Sequence, residues 1–293
     1  MQSIYVIIGP TASGKSDRAV ELALEIGGEV ISADSRQVYK GLDVGTGKIT
    51  ETEMKGVTHH LLSYVEPKVE GTEYNLYSVS KWVKDAKFII DDIINRDKVP
   101  IICGGTGMYI YSLIYGLDHD IAPDNELRNK LNHLSTVELF NKYKAINGEP
   151  ADNSISNNRP RLIRFIEIGK VNKKENRQPL YNVKYIKIER SKEELRERII
   201  RRAEQRLDAI VDEVNKLLAA GVDPNWLSRV GIEYGVILNT TPSAVGSSPG
   251  GALNTQNSNF NAPLGELREA VRGLSLGMVR DEIISLILLR SFQ

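Results

Sequence analysis

The run Gly9-Pro-Thr-Ala-Ser-Gly-Lys-Ser16 constrains this chain more than any other feature. Its spacing is G-x-x-x-x-G-K-[ST]. It follows a short β-branched and aromatic run, Ile4 to Ile8, and opens a segment with helical periodicity, Lys15 to Ile26. Strand, glycine loop and helix in that order make a phosphate-binding loop. Glycines let backbone N–H groups close around phosphate oxygens. The helix N-terminus adds positive potential. Lys15 brings a point charge to the terminal phosphates, and Ser16 is positioned to ligate magnesium (Mg2+). The motif specifies a di- or triphosphate, not which one or what is transferred.

The remaining pattern alternates strands and helices. Glu29 to Ala33 is a second strand ending at Asp34, and Val99 to Cys103 a third ending at Gly104-Gly105. Between them, Val79, Trp82, Val83, Ala86, Ile89, Ile90 and Ile93 mark a helix over 78–96. Tyr185 to Ile188 is a further strand. A long charged helix starts near Lys192 and reaches Leu207; the helical pattern goes on to Leu218, with Gly221 as its cap. The expected fold is α/β: a parallel sheet flanked by helices, with functional loops at the carboxyl ends of the strands. Residues 119–156 are polar, with short helical patterns, and are expected to form a small helical insertion. The catalytic core is then 1–118 with 157–235, and 236–293 is a separate tail.

A kinase would usually end a hydrophobic strand in an aspartate that holds the metal. Here the third strand ends in Gly104-Gly105-Thr106 instead. The best-placed acid is Asp34, followed by Ser35-Arg36-Gln37-Val38-Tyr39. A carboxylate at a strand end facing a phosphate loop suits a general base or an outer contact to magnesium. A helix N-cap is the competing reading of Asp34 taken alone.

Charge is balanced overall, with 38 basic and 38 acidic side chains, which excludes a uniformly basic nucleic-acid binder. The distribution is uneven. Residues 159–206 hold 16 Lys or Arg against 7 Glu, enough to grip an RNA backbone by counterion release. Pairs such as Glu194–Arg198 and Glu197–Arg201 predict that 192–201 is instead a solvated face. From Asn239 to Pro263 no residue is charged, a linker-like composition, and all 19 lysines fall at or before Lys216. The single cysteine, Cys103, excludes an internal disulfide and reads as a buried thiol compatible with a reducing cytoplasm. Trp82 and Tyr109 are expected in the core. His59-His60 is expected to have a structural role. No run is long enough to span a membrane, and the N-terminal apolar run is too short for a signal sequence.

Several segments together resemble the tRNA dimethylallyltransferase family, also called tRNA isopentenyltransferases. They are GPTASGKS (9–16), ISADSRQVYKGLDVGTGK (31–48), GVTHHLL (56–62), VPIICGGTGMYI (99–110) and RLIRFIEI (161–168). The resemblance covers residues 3 to 235. It implies a P-loop NTPase-like fold and transfer of the dimethylallyl group of dimethylallyl diphosphate to N6 of adenosine 37, beside the tRNA anticodon. Asp34 and Thr106 are then the catalytic residues, with Asp34 as general base and Thr106 near the bridging oxygen of the leaving group. Gly9, Thr11, Ala12, Ser13, Gly14, Lys15 and Ser16 would bind diphosphate, with Mg2+ on Ser16. Arg202 or Arg206 would complete the clamp, the choice between them staying open. Ser35, Arg36, Gln37, Pro160, Arg161, Arg164, Arg229 and Tyr234 would contact tRNA, whose anticodon loop must release the base into the site. A cytoplasmic monomer without membrane contact is expected. The chain leaves the family pattern after Tyr234, where Gly235 replaces a frequent basic residue. An adenylate isopentenyltransferase acting on free nucleotide shares the loop and the Asp34 region. A non-catalytic RNA-binding protein is the alternative of a different class.

Overall fold

The computed structural model describes residues 2–72, 77–116, 124–150, 155–169, 178–240 and 276–291. The uncharged stretch therefore lies outside the described residues from 241 onward. Two compact units are formed, Met1–Ile114 with Tyr181–Gln293, and Tyr115–Leu180.

The first unit is built on a five-stranded sheet in the order β3-β2-β4-β1-β5, with every pairing parallel. The strands are β1 (Ser3–Ile8), β2 (Gly28–Ser32), β3 (His59–His60), β4 (Val99–Cys103) and β5 (Asn182–Lys187). The strand before the phosphate loop lies between β4 and β5, with Val6 in register with Ile102 and Tyr185. Its Ile4, Val6 and Ile7 are fully buried, which explains a run that is apolar rather than alternating. The crossover helices are α1 (Lys15–Ile26) and α3 (Val79–Asn95). Trp82 of α3 is fully buried, stacks on Tyr109 at 4.7 Å and donates its indole N–H to Ser32 O at 2.9 Å. Both rings are therefore core, as expected.

Glu29 holds the start of β2. Its buried carboxylate pairs with Arg96 Nη1 (2.6 Å), Lys98 Nζ (2.7 Å) and His60 Nε2 (2.7 Å). The two histidines are thus structural, His59 Nδ1 meeting Val57 O at 2.9 Å. The bonds from Arg96 outweigh burial and keep the Glu29 carboxyl well below the usual carboxylate range. A depressed acid stabilises the fold above its unfolded pKa and loses that contribution as pH falls below it. Glu29→Gln is expected to cost about 2 kcal/mol at neutral pH. In urea titrations the gap between the two proteins should close on acidification below about pH 4, near the unfolded carboxyl pKa.

Further along are α2 (Glu51–Met54) and α4 (Gly107–Tyr115), then α8 (Lys192–Ala219), α9 (Pro224–Val230) and α10 (Ile232–Asn239). The charged helix and the pattern after it are one element, α8, capped by Ser191 and ended near Gly221 at φ +80°. A last helix, Leu276–Ser291, packs on α8 and α10 with Val279 and Ile283 buried. The second unit holds α5 (Asn125–Asn132), α6 (Thr136–Asn147) and α7 (Arg159–Ile168) around Leu131, Leu139, Tyr143 and Leu162. Among the described residues no helix is long and apolar enough to cross a membrane.

Candidate active site

The loop leaves the carboxyl end of β1 and turns under Ala12 (φ +61°) and Gly14 (φ +94°) into α1. Gly14 caps α1 through backbone alone, so no side-chain acceptor occupies its first-turn amides. Those amides are available to an anion. Lys15 Nζ donates to Gly9 O (3.0 Å) and Pro10 O (2.6 Å). Burial lowers the Lys15 pKa, opposed by the neighbouring Cys103 and Asp34 and reinforced by Arg202. Cys103 is a buried thiol, pushed up to about 12 by burial. Ser13 is fully buried, and its hydroxyl has no hydrogen-bond partner among the described residues.

Asp34 follows β2. Its Oδ1 accepts from Arg36 N (2.9 Å) and Gln37 N (3.3 Å). The capping-type bonds are therefore real, and they engage only one oxygen. Thr106 Oγ1 accepts from Ser35 N at 3.1 Å, and Thr106 N donates to Ala33 O at 3.0 Å. The ends of β2 and β4 are thus tied together beside Asp34. Gly104 permits the approach, because a Cβ there would lie 2.3 Å from Ala33 O.

The third wall is α8. Arg198, Arg202 and Arg206 recur every four residues and so share one face. Arg198 Nε donates to Ala12 O at 2.7 Å, and Arg190 Nε, just before the helix, donates to Ser13 O at 2.7 Å. Arg202 Nη2 donates to Gly47 O at 3.2 Å. Burial, then the adjacent Arg206, lowers the Arg202 pKa. A desolvated guanidinium with a second one beside it favours an anion between them. The pairs expected along this helix are not formed: Arg190 takes Glu194, and Arg198 is turned onto the loop. Arg190 and Arg198 are the functional candidates that sequence reasoning missed. The four-residue arginine spacing was the available signal.

These walls enclose a cavity of about 470 Å³. Thr11 to Ser16, Asp34, Arg36, Gln37, Arg202 and Arg206 all line it, together with Arg198, Glu53 and Glu233. Ile283 and Ile287 of the last helix also line it, so the divergent tail contributes to the site. Gly9, Ser35 and Thr106 lie beside the lining residues in sequence or by hydrogen bond. Arg198→Ala removes one cation and one loop contact. It is expected to weaken inorganic diphosphate binding by roughly tenfold or more in a calorimetric titration.

Other candidates lie elsewhere. Arg229 is exposed on α9. Tyr234 is corrected: it is fully buried, its hydroxyl donates to Glu213 Oε1 at 2.7 Å, and it offers no surface to RNA. Pro160 and Arg161 are exposed on α7 in the second unit. Arg164 Nη1 bonds the buried Glu167, which also receives Arg128 Nε at 2.9 Å.

The sequence profile described as IPP transferase matches residues 37–247, and one described as isopentenyl transferase matches residues 2–71. A tRNA dimethylallyltransferase of Anoxybacillus flavithermus is 40% identical over 231 residues, covering 75% of this chain and 72% of that protein. One of Acetivibrio thermocellus is 40% identical over 254 residues, covering 82% and 79%. The solved tRNA delta(2)-isopentenylpyrophosphate transferase of Staphylococcus epidermidis is 29% identical, covers 99% of this chain and 100% of that one, and superposes with a TM-score of 0.54. The phosphate loop, the parallel sheet around it and this extended similarity agree, and the chain belongs to the tRNA dimethylallyltransferase family.

Proposed function

We propose that the chain transfers the dimethylallyl group of dimethylallyl diphosphate to N6 of adenosine 37 in the tRNA anticodon loop. The observation that carries this reading is one cavity lined both by Asp34 and by the phosphate loop with its arginine face. Asp34 takes a proton from N6 as the nitrogen attacks the allylic carbon. The new C–N bond forms as the C–O bond to diphosphate breaks, and the electron pair leaves with the diphosphate. Lys15, Arg198, Arg202, Arg206 and the loop amides stabilise that developing charge. Thr106 holds Ser35 beside the base, and Arg36 and Gln37 face the nucleotide. Excluding water protects the cationic centre from hydrolysis.

The residues present fit a magnesium ion. Ser16 lies in the first turn of α1, and Asp17 and Asp34 share its cavity, all hard oxygen donors. Among the described residues no cluster of three acidic, His or Cys ligands forms. When bound, it neutralises part of the diphosphate charge.

Action as a cytoplasmic monomer is part of the same proposal. The 40% identical relatives are named tRNA dimethylallyltransferases, which favours an RNA acceptor over free nucleotide. Labelled dimethylallyl diphosphate offered with an adenosine-37 anticodon stem-loop or with AMP tests this. Label is expected in the stem-loop; label in AMP alone would overturn the RNA acceptor.

A further inference from the structure

We infer that Glu213 and Tyr234 are positioning residues that set both halves of the site through the loop 43–48. The inference rests on the function proposed above. Glu213 lies on α8, about three turns beyond Arg202 and on the same face. Its carboxylate is buried, at 8% exposure. Oε2 accepts from Asp43 N (2.8 Å) and Val44 N (2.7 Å), and Oε1 accepts from Gly45 N (3.0 Å) and Tyr234 Oη (2.7 Å). Three successive amides form a concavity for an anion, and the protein fills it with its own carboxylate. Burial, then the Glu213 charge, pushes the Tyr234 pKa upward, so the phenol stays a neutral donor.

The far side of the loop carries the functional contacts. Gln37 Nε2 donates to Thr46 O and Gly47 O, each at 3.3 Å. Arg202 Nη2 donates to Gly47 O at 3.2 Å. The contact is close: Gly47 sits at φ +62°, and a Cβ there would fall 1.2 Å from Arg202 Nη2. The turn is closed by Gly47 N to Val44 O (3.0 Å) and by Lys48 Nζ to Tyr39 O (2.8 Å). One loop therefore orients Gln37, on the nucleotide side, and Arg202, on the diphosphate side. Glu213 is the anchor that holds its amides. Without that carboxylate, three N–H groups, the buried one of Gly45 among them, lose their acceptor and the carbonyls they share peptides with can reorient.

A double-mutant cycle tests this. Inorganic diphosphate affinity is measured by calorimetry for the wild type, Glu213→Gln, Arg202→Ala and the double variant. Glu213→Gln is expected to weaken binding by roughly tenfold. The double variant should bind within about twofold of Arg202→Ala alone, because Glu213 acts through Arg202. Additive losses would overturn the inference, since a merely structural carboxylate loses affinity independently of Arg202. Tyr234→Phe removes one hydroxyl and is expected to fold, so the same cycle with Arg202→Ala decides the matter if Glu213→Gln does not fold. Its own loss should be about threefold and again non-additive. The readout needs no transfer reaction: a wild type that binds diphosphate but prenylates nothing would refute the proposed function and leave this cycle interpretable.

Discussion

Asp34→Asn is expected to slow prenyl transfer by roughly 10²- to 10⁴-fold, the range for removing a positioned general base. Affinity for inorganic diphosphate should change little. Asparagine keeps an oxygen to accept from Arg36 N and Gln37 N, at 2.9 and 3.3 Å in the native turn. The turn after β2 is then preserved while the basic oxygen is lost. The amide cannot take the N6 proton. Single-turnover rates with prebound dimethylallyl diphosphate isolate the chemical step. Near-normal rates would remove Asp34 from the role and assign it to the turn alone.

Lys15→Ala should act on the opposite partner. Its ammonium group is half-buried and bonded to the carbonyls of Gly9 and Pro10. It is thus held at the loop, where it can meet phosphate oxygens without a large rearrangement. Removing a desolvated cation from an anion site typically costs 2–5 kcal/mol, so diphosphate affinity should fall by roughly 30-fold or more. RNA affinity should be unaffected. Unchanged diphosphate binding in calorimetry would count against the loop as the ligand site.

Local signals account for much of what the sequence showed. The phosphate loop, α1 and β4 are contiguous runs whose spacing dictates their conformation. Asp34 was legible because a strand end places it. β3 was not, since His59 and His60 make two residues of strand only by pairing with Val30 and Ile31. Arg198 has a glutamate four residues before it and looks like half of a solvated pair. Its actual partner, Ala12 O, is 186 residues away. Glu213 carries no local signal: its three amide donors lie 168 to 170 residues earlier in the chain. Resemblance places Tyr234 at the RNA, whereas its burial is a property of tertiary packing. The last helix falls in the part of the chain where no resemblance was found. Packing against α8 brings its Ile283 and Ile287 to the cavity.

With a leaving diphosphate held on the phosphate loop, transfer and diphosphate release are one event. Purified protein, Mg2+, labelled dimethylallyl diphosphate and an adenosine-37 stem-loop suffice to measure both. Equal amounts of label in the RNA at N6 of that adenosine and of free diphosphate in solution are expected, with no requirement for ATP. Phosphate release from ATP with no label in the RNA would contradict it.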